Sequence, residues 1–330
     1  MTTPAGIEIG LNAAIVAMID QGPQLLVVAD MQHTLDALPF GPFDPVRHST
    51  MERSLRGTVE AQTALELGYI EQLYTFGDRG RHKMPGDLGP HVVSVGYLAL
   101  TRTDAAKTAR LEAAGAVWRD WYSFLPWEDW RNGRPAVIDR VILPALRAWA
   151  AEPSGSMGSA PVPSRPSRLK LAFGQDDFPF DEERVLERYE LLYEAGLLDE
   201  AVLDGRVAER SVAHALGRPM RHDHRRIAAT ALARLRSKIK YRPVIFELMA
   251  PEFTLTELQV TVEAIAGRHV HKQNFRRLVE GAELVEPTGH SKAATGGRPA
   301  ALFRFRRQIL EERPAPGLRL GGRSTGQPGG

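Results

Sequence analysis

Apolar positions in this chain fall into continuous runs in some segments and into helical spacing in others, and the two patterns predict different elements. The segment GIEIGLNAAIVAMIDQGPQLLVVAD contains two β-rich apolar runs broken by Asp20-Gln21-Gly22-Pro23, a turn signature that predicts a hairpin. After a polar, Pro-rich stretch, Leu55, Val59, Thr63 and Leu67 recur at helical spacing and predict a helix over 50–67. YIEQLYTFGD and HVVSVGYLALTR read as strands separated by the polar RGRHKMPGDLGP. Helices are expected over 104–121, 127–150, 181–198 and 221–239, the last with Ile227, Ala231, Leu235 and Ile239 along one face. This mixture predicts an α/β domain.

Two segments lack any apolar period. Residues 152–168, EPSGSMGSAPVPSRPSR, form a Pro/Ser/Gly tract expected to be a flexible excursion. Residues 311–330 have little to bury and are expected to be a disordered tail.

At 330 residues, 43% hydrophobic and 25% charged, the chain can bury a core and accommodate two domains. No apolar run approaches the roughly 20 residues of a membrane span, and MTTPAGIEIG has neither a basic nor an apolar signal region. A soluble cytoplasmic protein is expected. The absence of cysteine excludes disulfides, thiolate zinc sites and a cysteine nucleophile. The net charge of +2 conceals an asymmetry: residues 237–330 carry 15 Lys and Arg against 9 Asp and Glu, and the preceding residues 27 against 31. The basic end is the one expected to face a polyanion.

In that basic end, APEFTLTELQVTVEAIAGR predicts the first helix of a helix-turn-helix. Thr254 or Thr256 is its N-cap, Leu255, Leu258, Val262 and Ile265 its buried face, and Gly267 its stop. HKQNFRRLVEGA is then the recognition helix. Phe275, Leu278 and Val279 face the core, and Lys272, Gln273, Asn274, Arg276 and Arg277 project away from it. Asn and Gln can pair with adenine, Arg with guanine, and either cation with phosphate. Two short strands follow, joined by a loop over 288–298, so the unit reads as a winged helix with His290, Ser291, Lys292 and Arg298 at the wing. A winged helix used only for protein contacts is the competing interpretation. His222-Asp223-His224 reads as a helix cap, and no metal-ligand spacing is found.

The segments ALARLRSKIKYRPVIFELMAPEFTLTELQ, KQNFRRL, LVEPTG and GRPAALFRF resemble the C-terminal half of the Nudix-related transcriptional regulators of NAD metabolism, the NrtR group. The length and the Pro/Ser/Gly tract are most like its alphaproteobacterial NadQ branch. LGYIEQLYTFGDRGR and HVVSVGYLALTR resemble the segment after the Nudix helix, and the match is weak over 103–221. The resemblance implies a Nudix-like α/β/α sandwich over 1–236 with a connecting helix at 221–239, and a winged helix-turn-helix over 237–310. It also implies a homodimer, a palindromic double-stranded DNA operator and a cytoplasmic, nucleoid-associated location.

The resemblance permits a test of chemistry. An active Nudix enzyme carries G-x5-E-x7-R-E-U-x-E-E-x-G-U, whose glutamates on one helix face bind divalent metals. With Gly41 as the opening glycine and Gly68-Tyr69 as the closing pair, the interval is about six residues too long. In this register Arg47 replaces the first Glu, Ala61-Gln62 replaces R-E and Leu65-Glu66 replaces E-E, so Glu66 alone remains. No catalytic or metal residue is assigned. The expected role is a repressor of NAD biosynthesis or salvage genes that needs no cofactor and senses a nucleotide, ADP-ribose, NAD or ATP. Candidate effector contacts are Arg47, Arg53, Arg56 and Glu66, with Arg79 and Arg81 as further cations and Tyr74, Phe76 or Tyr97 stacking on a base. An active pyrophosphatase of the ADP-ribose or NADH type is the alternative.

Overall fold

The long strand β1 (Ile7–Ile19) organises the N-terminal half. It turns through Asp20 and Gln21, both in the left-handed region at φ 47° and 63°, into β2 (Gly22–Ala29), with Ile19 opposite Gly22. Two consecutive left-handed residues give the turn twist that matches the strands it joins. The structure is a computed structural model and describes residues 6–29, 35–78, 90–152, 163–213, 215–293, 299–313 and 316–318. There follow β3 (Asp36–Ala37), β4 (Phe40–Pro42), α1 (Met51–Thr63), β5 (Tyr69–Phe76), β6 (His91–Leu100), α2 (Ala105–Ala113) and β7 (Ala116–Asp120). The sheet order is β3-β2-β1-β6-β5, with β4 also paired to β1 and β7 to β2. Among the described strands β1 and β6 run parallel, in register from Ile7 with His91 to Val16 with Leu100, and the other strand pairs are antiparallel.

Both faces of this sheet are covered, which explains why its central strands read as continuous apolar runs. Leu11, Ala13, Ile15, Tyr97 and Ala99 pack with Leu55 and Val59 of α1 and Leu111 of α2. Ala14, Val16, Leu98 and Leu100 pack on the opposite side, with Ile227, Ala231 and Leu235 of the connecting helix. The result is the expected α/β/α sandwich.

The region after β7 is helical: α3 (Trp121–Phe124), a π turn at Ile138–Ile142 leading into α4 (Leu143–Ala151), α5 (Arg165–Phe173), α6 (Val185–Glu194), α7 (Asp199–Leu203) and α8 (His224–Ile239). The helix expected over 104–121 stops at Ala113, because Gly115 takes φ +82° and Ala116–Asp120 pair with β2 instead. The one expected over 127–150 begins only near residue 136, after a turn that contains Gly133 at φ +89°. Of the helix expected over 181–198 only α6 forms, and Gly196, at φ +69°, separates it from α7. The Pro/Ser/Gly tract is shorter than expected. Residues 153–162 lie outside the described residues, but Ser164 caps α5 by accepting from the Ser167 amide, so 165–168 are helical.

A 3-10 turn at Val244–Leu248 leads from α8 to α9 (Leu255–Ala266), α10 (Lys272–Ala282), β8 (Val285–Lys292), β9 (Ala300–Phe305) and α11 (Ile309–Glu312). Phe253 bridges to Phe303 as a third short strand, with reciprocal amide bonds of 2.9 and 2.8 Å. The tail expected to be disordered from 311 is partly packed: the Leu318 amide donates to Ile239 O at 2.9 Å, and the Leu318 side chain is buried. Residues 319–330 lie outside the described residues.

Candidate nucleic-acid interface and ligand face

Thr254 is the N-cap of α9, not Thr256. Its hydroxyl accepts from the Glu257 amide at 3.1 Å while the Glu257 carboxylate accepts from the Thr254 amide at 2.7 Å, a reciprocal capping box. Leu258, Val262 and Ile265 are buried against Phe275 and Val279 of α10 and Leu284 beyond it. Phe246 stacks on Phe305 at 4.5 Å and closes the other side of this small core.

The α9–α10 turn is fixed by a buried carboxylate. Glu263 accepts from the Val270 amide at 2.9 Å, from Gln259 Nε2 at 2.8 Å and from His269 Nδ1 at 2.8 Å. Burial alone would raise the Glu263 carboxyl; the Val270 amide, Gln259 and His269 outweigh it and hold it below the usual range. The carboxylate thereby sets the angle at which α10 leaves the turn.

On α10, Phe275 and Val279 are buried and Leu278 half-buried, whereas Lys272, Gln273, Asn274, Arg276 and Arg277 are all exposed. Arg277 Nη2 donates to Asn274 Oδ1 at 2.8 Å, which joins two candidate contacts into one hydrogen-bonding unit. His290, Ser291 and Lys292 end β8 and are exposed. His290 Nδ1 lies 3.1 Å from Glu252, and Lys292 Nζ lies 2.6 Å from Glu257. Arg298 lies outside the described residues, as do Arg79 and Arg81.

The candidate ligand residues do not gather on one side of the sheet. Arg53 and Arg56 are on α1 and Arg47 in the loop before it, on the face where Tyr97 is buried. Phe76 belongs to the opposite face, buried under the Arg226 guanidinium at 4.8 Å from its ring centre. Tyr74 lies on that opposite face too, and lines a cleft of about 240 Å³ with Arg234, Tyr241, Glu183 and Glu187. Arg56 is occupied: its guanidinium donates to Leu67 O, to Gly68 O at 3.1 Å and to Glu52 at 2.9 Å. Arg47 pairs with Asp44 at 3.4 Å, and Arg53 reaches Ser49 Oγ at 3.3 Å.

The end of α1 changes the register of the degenerate box. The helix stops at Thr63, with Ala64 as its C-cap at φ +53°, so Leu65 and Glu66 lie beyond it and not on its face. Gln62 faces β4 and uses its whole amide there, donating to Phe40 O at 2.7 Å and accepting from Phe40 N at 3.1 Å. Among the described residues, no three His, Asp or Glu side chains come together as a metal site.

Residues 245–305 match the family model described as the NrtR DNA-binding winged helix domain. This segment is similar to that domain from its 3-10 turn to the end of β9. A curated relative, the ADPR responsive transcriptional repressor NtrR of Acinetobacter baylyi, is 46% identical over 83 residues, which is 25% of this chain and 33% of the relative. The chain thus spans about a third of the length of the curated relative it matches. Among solved structures, Shewanella oneidensis NrtR complexed with a 27mer DNA superposes with TM-score 0.55 at 20% identity, covering 92% of this chain and 95% of that one. A MutT/nudix family protein from Enterococcus faecalis superposes with TM-score 0.50 at 15% identity, covering 93% and 89%. These likenesses establish the fold, a Nudix-type sandwich followed by the winged helix.

The winged helix also touches the sandwich through residues that the sequence patterns did not single out. Arg236 of α8 donates from Nε to Ile265 O at 3.0 Å, and Tyr122 donates to Ala264 O at 2.6 Å. Arg102 reaches Phe246 O at 3.0 Å. A signal was present: Arg236 falls between Leu232 and Ile239 on the buried stripe of α8, where a charge at apolar spacing requires a partner.

Proposed function

We propose that this chain is a homodimeric repressor that binds a palindromic DNA operator through α10 and the wing, and releases or tightens it in response to a nucleotide. The observation that carries this reading is the division of α10: Phe275 and Val279 are buried, while five consecutive-turn residues suited to base and phosphate contact face solvent. The winged-helix family match supports DNA as the partner, and the Acinetobacter baylyi relative, an ADPR responsive repressor, supports ADP-ribose, ahead of NAD or ATP, as the effector. Regulated genes of NAD synthesis or salvage, and a site of action at the nucleoid, follow from that reading.

The sandwich is read as a sensor without hydrolase activity. With Ala64-Leu65 as the closing pair of the box, the register needs no insertion: Ser49 takes the first Glu position, Gly57-Thr58 the R-E pair, Val59 the apolar position and Ala61-Gln62 the E-E pair. Burial of Val59 and Leu65 supports this register, and Gln62 is committed to Phe40. No carboxylate of the motif then remains to hold the metals of pyrophosphate hydrolysis.

The test is operator binding by K272A and R276A. Each is expected to weaken affinity, and each lost phosphate contact to reduce the slope of log affinity against log salt by roughly one. Unchanged affinity in both folded variants would remove α10 from the interface. Magnesium- or manganese-dependent turnover of ADP-ribose by the wild type would overturn the sensor-only reading.

A further inference from the structure

Three charged side chains form a buried node outside the DNA and ligand faces. Glu128, Arg188 and Arg236 are 1%, 0% and 3% exposed. Burying a charge is costly unless partners replace its water, and here they do. Glu128 accepts from Arg188 Nε at 2.6 Å, from Arg188 Nη2 at 2.9 Å and from Arg236 Nη1 at 2.7 Å. Arg188 spends Nη1 on Ala172 O and Asp181 O at 2.9 and 2.8 Å. Arg236 spends Nη1 on Glu182 O and Nη2 on Glu128 O, both at 2.9 Å.

What makes the node more than a core ion cluster is what stands against it. The last carbonyls of a helix have no partner within the helix and are ordinarily met by its own cap or by water. Those of α9 are met by the other domain: Ala264 O by Tyr122 Oη, Ile265 O by Arg236 Nε and Gly267 O by the Trp130 amide at 2.6 Å. The arginine charge also suits the negative end of the helix dipole. Gly267 makes the approach possible. It sits at φ +71°, and a Cβ there would collide with Glu128 O and lie 2.6 Å from Arg236 Nη2.

We propose that this socket, built on Glu128, Arg188 and Arg236, couples the winged helix to the sandwich so that the two open and move as one body. The chain connection through Pro243 is then not a swivel, and any displacement of α8 is transmitted to α9 and α10. The inference stands whether or not the protein binds a nucleotide or DNA, since it concerns only how the two domains are held.

The test is amide hydrogen exchange on the full-length protein with E128Q and G267A. E128Q keeps the side-chain volume and removes the charge, and G267A leaves the charges and pushes α9 out of the socket. In G267A the Trp130 amide, in the sandwich domain, and the amides of α9 and α10 are expected to exchange about ten-fold faster or more, while β1 and β6 keep their protection. E128Q is expected to speed the same amides most, on top of a smaller loss of protection in β1 and β6. Faster exchange confined to α9 with Trp130 unchanged, a uniform loss that includes β1 and β6 in G267A, or no change in either variant would overturn the proposal. Should E128Q fail to fold, G267A alone decides.

Discussion

The Arg236 guanidinium bridges two domains, donating to Glu128 Oε2 at 2.7 Å and to Ile265 O at 3.0 Å. A residue of the connecting helix therefore satisfies a terminal carbonyl of the first helix of the winged domain. Stability, and not only orientation, depends on the charge state of the carboxylate it faces.

Acid should weaken this node. Burial would raise the Glu128 carboxyl, but Arg188 and Arg236 outweigh it and hold it below its ordinary value of 4.5; Tyr122 and Asp129 are further titratable groups that Arg236 faces. A depressed folded value means stability that is present above pH 4.5 and is lost as pH falls through the folded value. Urea unfolding of the wild type should lose stability over that range, and E128Q should be less stable by about 3–5 kcal/mol at neutral pH and show a flatter acid limb. Equal acid slopes in both proteins would exclude Glu128 as the titrating group.

Thr254→Ala removes one half of the α9 capping box and should cost about 1 kcal/mol, read as a lower denaturation midpoint. Thr256→Ala should be close to neutral, because the cap is not at that position. Reversal of this order would place the helix start elsewhere.

Lys292 is held by Glu257 at 2.6 Å, so a wing cation is partly neutralised in the absence of DNA. Glu257→Gln retains an acceptor for the Thr254 amide and frees the ammonium. Operator affinity should rise several-fold, with a salt slope steeper by up to about one unit. Weaker binding by a normally folded E257Q would indicate that the pair positions the wing instead of restraining it.

Arg56→Ala should lower stability whether or not it alters a nucleotide response, because the guanidinium holds the carbonyls of Leu67 and Gly68 between α1 and β5. Losing hydrogen bonds from a charged donor should cost about 1.5–3 kcal/mol by chemical denaturation. A variant as stable as the wild type would return Arg56 to the ligand candidates without a structural role.

Leu318→Ala should destabilise the protein by about 2 kcal/mol or more, as expected for a buried leucine. The melting temperature of a chain ending at Arg313 should fall at least as far. No change in either would mean that the contact with Ile239 adds nothing in solution.

The sequence made the winged helix legible because its signals are local. The Thr254 cap, the Gly267 stop and the apolar spacing of Phe275 and Val279 need no knowledge of the rest of the fold. The sheet was legible for a related reason, since strands covered on both faces stay apolar throughout. The helical region after β7 was less so. Gly115 and Gly196 reverse the chain at left-handed positions inside apolar spacing that otherwise continues. The faces of the ligand candidates were not legible for a different reason: Phe76 and Tyr97 are close in type and in predicted strand, yet their faces depend on a register that includes the bulge between Gln72 and Thr75. Glu128 was invisible because its partners are 60 and 108 residues away.

The collision that any side chain at Gly267 would make bears on how chains of this fold can be recombined. A winged helix cut out at the Pro243 boundary and joined to a different sandwich would carry the open end of α9 without the tyrosine, arginine and tryptophan amide that satisfy it. It would leave behind, in its own sandwich, a guanidinium with an acceptor missing. Exchange of DNA specificity by whole-domain grafting therefore requires Tyr122, Glu128, Arg188 and Arg236 to travel with Gly267. Substitution confined to the solvent face of α10 leaves the socket untouched and, on the proposed DNA-binding function, is the route by which new operator preferences can arise without rebuilding the joint.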